Sequence, residues 1–368
     1  MRVVNQLPLE PPSKETIRAG IPNAARYQPE PRLIRQVAMT RDDKGRAVTL
    51  APDGSRRTLS PVLEAVHEAL DQGLTVADTI ELAKTRAPAH LRRMVRRYVR
   101  SYLLLLAEDD IVELDFDPPP EVFAGRYRRI RELGRGGMGI VDLAHDEADG
   151  NRPVVVKRAW GWSKPVEKAD RSNRREGAIL QRLDHPLIPK LTDHFESGGI
   201  MHLVRPFEDG DLIGRVPDAA KRTAIIRDLA DAMASIHESG FLYLDAKPGN
   251  FLYRTDGRTV ILDFGLVKPH VDGWRTTGRS PGGTRGYASP EAIAKTAVGI
   301  PSDIFSLGRV WYYMVTRRRA KLAWSCAEFD ALLHEAGAAE AEMALIRRMC
   351  APAIADRPAT MREVLDAL

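Results

Sequence analysis

Tyr243-Leu244-Asp245-Ala246-Lys247-Pro248-Gly249-Asn250 is followed, thirteen residues after the asparagine, by Asp263-Phe264-Gly265. The first stretch sets a carboxylate, a cation and a side-chain amide close together, and the second adds another carboxylate beside a glycine. Moving a phosphoryl group onto a hydroxyl asks for a carboxylate that orients the nucleophile and for ligands that hold a divalent cation across the phosphates. It also asks for cations that offset charge on the transferred group. D-x-K-x-x-N with D-F-G at this distance supplies all of these residue types.

Working upstream, Leu133-Gly134-Arg135-Gly136-Gly137-Met138-Gly139-Ile140-Val141 holds G-x-G-x-x-G. Glycines let a backbone lie against phosphates where a Cβ would collide. Such a run alone also suits a plain turn or a dinucleotide site, but the latter requires a helix directly after the glycines. Here Ile140 to Ala144 reads as a second strand, which favours a flap over phosphates. Sixteen residues after Val141, the apolar strand Val154-Val155-Val156 ends in Lys157. A lysine there is commonly a surface charge; behind a glycine hairpin it can reach phosphate oxygens. Nineteen residues further on, Glu176 stands one helical turn before Leu180, free to pair with Lys157 or simply to face solvent.

With these motifs in order, residues 122–368 resemble the eukaryotic-like (Hanks-type) serine/threonine protein kinases. The resemblance implies an α+β, bilobal fold, with a β-rich N-lobe at 122–207 and an α-rich C-lobe at 208–368. It implies ATP and magnesium as cofactors and a protein as substrate. Asp245 would be the catalytic base and Lys247 would contact the γ-phosphate. Gly134, Gly136, Gly139 and Val141 would cover the nucleotide, Lys157 would hold its α- and β-phosphates, and Glu176 would be the partner of Lys157. Asn250 and Asp263 would hold the metal. Gly283 to Glu291 resembles the substrate-facing loop, Asp303 to Gly308 a central buried helix, and Arg357 a late arginine that pairs with Glu291. Lys247 two residues after Asp245, together with Thr284, resembles the serine/threonine branch.

Several positions depart from the family pattern. Leu244 stands where many relatives carry an arginine that receives an activation-loop phosphate, so that switch is expected to be absent. Tyr243 replaces histidine and Ser289 replaces alanine, both mild changes. Arg205 falls at the apolar gatekeeper position and Pro206 lacks a backbone donor. A charge behind the adenine pocket is costly unless it is paired.

The rest of the chain bounds the setting. Among 368 residues, 55 basic side chains face 50 acidic ones, so the net charge of +5 is too slight to call for a polyanionic partner. No apolar run is long enough for a membrane span. Cys326 and Cys350 make no disulfide framework, and with no signal-peptide-like start the expected place is the cytoplasm. Residues 1–41, broken by Pro8, Pro11, Pro12, Pro22, Pro29 and Pro31, read as a flexible proline-rich arm.

Residues 42–117 read as a small docking domain. A hairpin around Asp53-Gly54 comes first, then a helix capped by Ser60 and stopped by Gly73. A second helix opens at Thr75-x-x-Asp78. A third, from Pro88, is expected to turn Leu91, Met94, Tyr98, Tyr102 and Leu105 inward, with Arg92, Arg96 and Arg100 outward beside Arg93 and Arg97. A strand at 111–116 closes the unit before the stiff linker Asp117-Pro118-Pro119-Pro120. This order resembles a winged helix and the PqqD-like peptide-recognition domains. The resemblance implies a peptide or protein partner, an intramolecular dock on the kinase being the other reading. Nucleic acid is the less favoured partner, because an arginine face is more often simply solvated. A pseudokinase scaffold and a kinase-coupled DNA-binding regulator are the alternative functions, but neither the strand lysine nor a metal ligand has been lost.

Overall fold

The computed structural model describes residues 6–19, 31–33, 39–43, 45–50, 56–108, 112–114, 120–135, 139–161, 165–215, 219–271, 284, 286–318 and 326–368. Helix α1 (Lys14–Ala19) begins where Ser13 Oγ accepts the Thr16 amide, 3.1 Å away. Strand β1 (Pro31–Leu33) follows, then β2 (Thr40–Arg41), β3 (Ala47–Leu50) and β4 (Arg56–Thr58), which form an antiparallel sheet. The expected Asp53-Gly54 turn lies outside the described residues. Ser60 caps α2 (Pro61–Asp71), and Thr75 caps α3 (Val76–Arg86) by accepting the Asp78 amide. Both starts follow from a hydroxyl taking up an otherwise unpaired helical N–H.

The third helix differs from its reading. The chain makes a 3-10 turn at Arg92–Met94, and α4 (Val95–Glu108) starts only after it. Leu91 and Met94 therefore do not set the phase of the helix. Val95, Val99, Tyr102, Leu103 and Leu106 are buried, whereas Tyr98 is 48% exposed. Arg100, expected on the solvated face, is 4% exposed and donates from Nη1 to the Gly161 carbonyl at 3.3 Å. The closing strand, β5 (Val112–Leu114), pairs antiparallel with β1, Leu33 opposite Val112.

Beyond the linker, β6 (Val122–Phe123), β7 (Tyr127–Arg135), β8 (Ile140–Asp146), β9 (Arg152–Arg158), β10 (Asp193–Ser197) and β11 (Ile200–Pro206) form one antiparallel sheet. Its order is β10-β11-β9-β8-β7-β6. Helix α5 (Val166–Leu180) lies between β9 and β10 in the chain. It is tied to β11 by Asn173 Nδ2 donating to the Met201 carbonyl (2.8 Å) and by the Met201 amide donating to Asp170 (2.7 Å).

The second lobe begins with β12 (Gly210–Leu212) and α6 (Arg222–Glu238), followed by β13 (Phe241–Leu242), β14 (Phe251–Arg254), β15 (Thr259–Ile261) and β16 (Lys268–Pro269). It continues through α7 (Pro290–Ala294), α8 (Ile300–Thr316), α9 (Cys326–Glu335), α10 (Glu340–Met349) and α11 (Met361–Asp366). Helix α8 is apolar nearly all round, and Ile304, Leu307, Val310 and Trp311 sit in the core of this lobe. Cys350 is a free cysteine, and burial pushes its thiol up to about 12; the Cys326 side chain lies outside the described residues.

One expectation about the N-terminal third needs correction. Residues 6–19 and 31–33 of the supposed flexible arm have fixed places: β1 pairs with β5, Leu7 and Ile17 are buried, and the Leu7 amide donates to Gln181 Oε1 at 2.7 Å. A proline-rich segment has less backbone freedom to lose on ordering, so two apolar anchors go further in holding it. The small domain also shares a core with the first lobe. Val66, Val99 and Leu103 belong to the same buried cluster as Ile140, Trp160, Val166, Ala169 and Ile200.

That shared core predicts joint unfolding. Trp160→Ala removes a 2%-exposed ring from it and should cost about 3–5 kcal/mol. Calorimetry should record one transition, shifted down, for the whole chain. Two well-separated transitions, with only one moved, would show independent units.

Candidate active site

The loop between β13 and β14 is hung from α8. Asp303, fully buried, accepts the amides of Tyr243 and Leu244, both at 2.7 Å, and Nε2 of His237 at 2.9 Å. Leu244 is held at φ +64°, a left-handed conformation that costs a non-glycine residue about 1–3 kcal/mol and persists only where neighbours enforce it. Its side chain packs among Leu242, Ala288, Ala292 and Val298.

This backbone delivers Asp245, which is 7% exposed. Asp245 Oδ2 accepts Lys247 Nζ at 2.7 Å and Asn250 Nδ2 at 2.9 Å, and Oδ1 accepts the Thr284 hydroxyl at 2.9 Å. Asn250 Nδ2 also donates to the Asp245 carbonyl. The amide is thereby oriented with its nitrogen on Asp245, leaving its oxygen as the atom for a cation.

Across the cleft, β9 places Lys157 between Val141 of β8 and Leu203 of β11. Its ammonium donates to both oxygens of Glu176 (2.8 and 2.7 Å) and to Asp263 Oδ1 (2.8 Å). Burial works against the charge on Lys157, but Asp263 and Glu176 outweigh it and hold the ammonium above its usual range. Burial likewise works against the Asp263 carboxylate. The Lys157 charge and hydrogen bond and the Gly265 amide prevail and keep it well below the usual carboxylate range. Phe264 is buried edge-on to Tyr243, with ring centroids 6.0 Å apart.

The glycine flap is described in part. Gly134 is the next-to-last residue of β7 and Val141 lies on β8, while Gly136 lies outside the described residues. Gly139 has a steric reason to be glycine: a Cβ there would stand 2.2 Å from the Arg158 carbonyl oxygen. The loop residues Arg275, Thr276, Thr277, Arg279 and Ser280 also lie outside the described residues. Arg205, the charge expected to need a partner, has one: its Nη1 donates to the Leu262 carbonyl, one residue before Asp263. Glu291 and Arg357 form the expected pair, bidentate at 2.8 and 3.1 Å.

A contact not foreseen in the sequence is the Ser172 hydroxyl donating to the Gly265 carbonyl at 3.2 Å, which ties α5 to the Asp263 turn. A lone serine on a helix carries no local signal of such a role. Among the described residues no three His, Cys, Asp or Glu side chains gather into a cation cage. Asp263 and the Asn250 oxygen instead suit magnesium, which is usually held by one or two protein oxygens together with substrate phosphates and water. Among the described residues no helix is long and apolar enough to cross a membrane.

A strand-rich lobe carrying Lys157 with Glu176, and a helical lobe carrying Asp245 with Lys247 and Asn250, joined by the Lys157–Asp263 bond, fit the class of two-lobed phosphotransferases. The chain belongs to the protein kinase domain family, which matches residues 127–336, more than half its length. It is 30% identical over 202 residues to the probable serine/threonine-protein kinase PknB of Lactococcus lactis, covering 53% of this chain and 32% of that protein. It is also 30% identical over 213 residues to the serine/threonine-protein kinase pkn2 of Myxococcus xanthus, covering 55% of this chain and 25% of that protein. With serine/threonine-protein kinase B of Synechocystis it shares 29% identity over 269 residues, 66% of this chain and 46% of the relative. The chain therefore spans between a quarter and a half of the length of these curated relatives.

The hanging of the loop is open to test. Asp303→Ala leaves the buried amides of Tyr243 and Leu244 unpaired, at about 1–3 kcal/mol each. The melting temperature should fall and nucleotide turnover should be lost with it. A variant with unchanged stability and turnover would show that the loop holds its shape without Asp303.

Proposed function

We propose that this chain is an ATP- and magnesium-dependent protein kinase that transfers the γ-phosphate to serine and threonine hydroxyls. One observation carries the reading: Lys247 and Asn250 both donate to Asp245 on one loop, while Lys157 is paired with Glu176 and Asp263. Asp245 orients the incoming hydroxyl and accepts its proton. Lys247, already on Asp245, offsets charge on the transferred group. Lys157, held in place by Glu176, binds the α- and β-phosphates under the flap of Gly134, Gly136, Gly139 and Val141. Asn250 and Asp263 are the magnesium ligands, and the ion, when bound, neutralises phosphate charge.

Asp245→Asn keeps the shape and removes the base, so turnover should fall on the order of 10²–10⁴-fold. Asp263→Asn should abolish it. The assay is incubation with labelled ATP and magnesium, alone and with cell lysate, followed by identification of the labelled proteins. Near-wild-type transfer by either variant would rule out these roles.

Activity on this reading does not depend on phosphorylation of the activation segment. Leu244 is in an apolar cluster where relatives present an arginine, and such a side chain cannot read a phosphate. Changing Thr276, Thr277 and Ser280 together to alanine should keep most of the activity on a generic substrate. A loss above about tenfold, 1.4 kcal/mol of barrier, would show that other basic side chains read it; Arg171, Arg175 and Lys268, which share one electrostatic environment, are the candidates. The small domain completes the proposal as the docking unit for a protein substrate or partner, by strand addition to the edge of the β2-β3-β4 sheet.

A further inference from the structure

We propose that the N-terminal arm is a built-in brace for α5, and that Leu7 is a positioning residue which keeps Glu176 on Lys157. This rests on the kinase reading above. Glu176 is useful only while α5 stays against the sheet, because its two bonds to Lys157 are 2.8 and 2.7 Å long and a shift of the helix breaks both. Three sides of α5 are already accounted for. Asn173 and Asp170 tie it to β11, Ser172 ties it to Gly265, and Val166 and Ala169 enter the core shared with the small domain.

The arm packs where the last turns of α5 meet β11. Leu7 is buried with Ala178, Met201 and Leu203. At Gly177, the residue after Glu176, a Cβ would stand 2.7 Å from Leu7 Cδ1 and 2.7 Å from Leu203 Cδ2. The arm thus reaches the helix backbone beside the glutamate, and the missing side chain is what admits it. Polar contacts fix the arm on both sides of this point. The Leu7 amide donates to Gln181 Oε1 (2.7 Å), its carbonyl accepts Arg182 Nη1 (3.4 Å), and the Pro12 carbonyl accepts Arg171 Nε (3.3 Å). From Arg171 to the end of α5 at Leu180 the strap covers about 14 Å of helix at 1.5 Å per residue. Pro8, Pro11 and Pro12 reduce the freedom the strap must lose on docking. For α5 to swing outward, Leu7 has to leave an apolar pocket.

The experiment uses the full chain with Leu7→Asp, Leu7→Ala and Leu7→Met. Leu7→Asp should lower kcat on a generic basic protein about tenfold, as the population with α5 in place falls by that factor. KM for the protein substrate should stay within about twofold, since that substrate meets the other lobe. Amide exchange should speed up in residues 166–180 and stay unchanged in 300–316. Leu7→Ala should give a smaller change in the same direction, and Leu7→Met, close in volume, should match wild type. The brace is overturned if Leu7→Asp turns over at the wild-type rate, or if exchange in 166–180 is unmoved in both Leu7→Asp and Leu7→Ala. Should Leu7→Asp also loosen 300–316, Leu7→Ala decides. Wild-type protein that transfers no phosphate would sink the kinase reading alone, because the exchange measurement still judges the brace.

Discussion

Asp303 takes a carboxylate fully out of water in the middle of the helical lobe. Such burial costs several kcal/mol unless every lone pair is answered. Here the answer comes from two consecutive backbone amides and a histidine, and in accepting them the carboxylate dictates the path of the chain through Tyr243 and Leu244. Leu244 goes left-handed because both amides must point at the same group. Asp245, the next residue, then leaves the loop in the one direction from which Lys247, Asn250 and Thr284 all reach its oxygens. The fully buried Asp303 therefore sets the orientation of Asp245.

On the opposite wall one ammonium does a comparable job. Lys157 is bonded to a carboxylate from α5 and to another from the segment after β15, so it joins the sheet, the helix and the helical lobe. Arg205 adds a second cation nearby and ends on the Leu262 carbonyl, so the gatekeeper position is tied to the backbone that carries Asp263. An apolar side chain there would make no such link. The unusual residue reads as a second attachment between β11 and the Asp263 turn, which accounts for a charge being tolerated behind the nucleotide cleft.

Much of this was legible in the sequence because its determinants are local. The loop 243–250, the Asp263 turn and the Lys157 strand each hold their residue types within a few positions, so short-range chemistry identifies them. Ser60 and Thr75 announced their helices for the same reason. What stayed hidden depends on distant partners or on phase. Leu91 and Met94 lie just before α4, and counting them in rotated the expected buried face by one position. Arg100 looked like part of a solvated stripe, but it is buried and bonds the Gly161 carbonyl, sixty-one residues away. Leu7 in a proline-rich tail has no pattern around it, and its partners lie more than 170 positions along the chain.

Those distant partners converge on one element. The polar fixings of α5 to its own lobe come from its middle, where Asp170, Asn173, Arg174 and Glu176 reach β9, β10 and β11. Its first turn enters the shared core with Trp160 and Ile17 of α1, and its last turns meet the arm at Leu7. The two parts of the chain that carry none of the phosphotransfer residues thus grip the two ends of the helix whose glutamate orients Lys157. Leu244, held in an apolar cluster, offers no cation to a phosphate. The apolar packing of the N-terminal third on α5 offers salt no ion pair to screen.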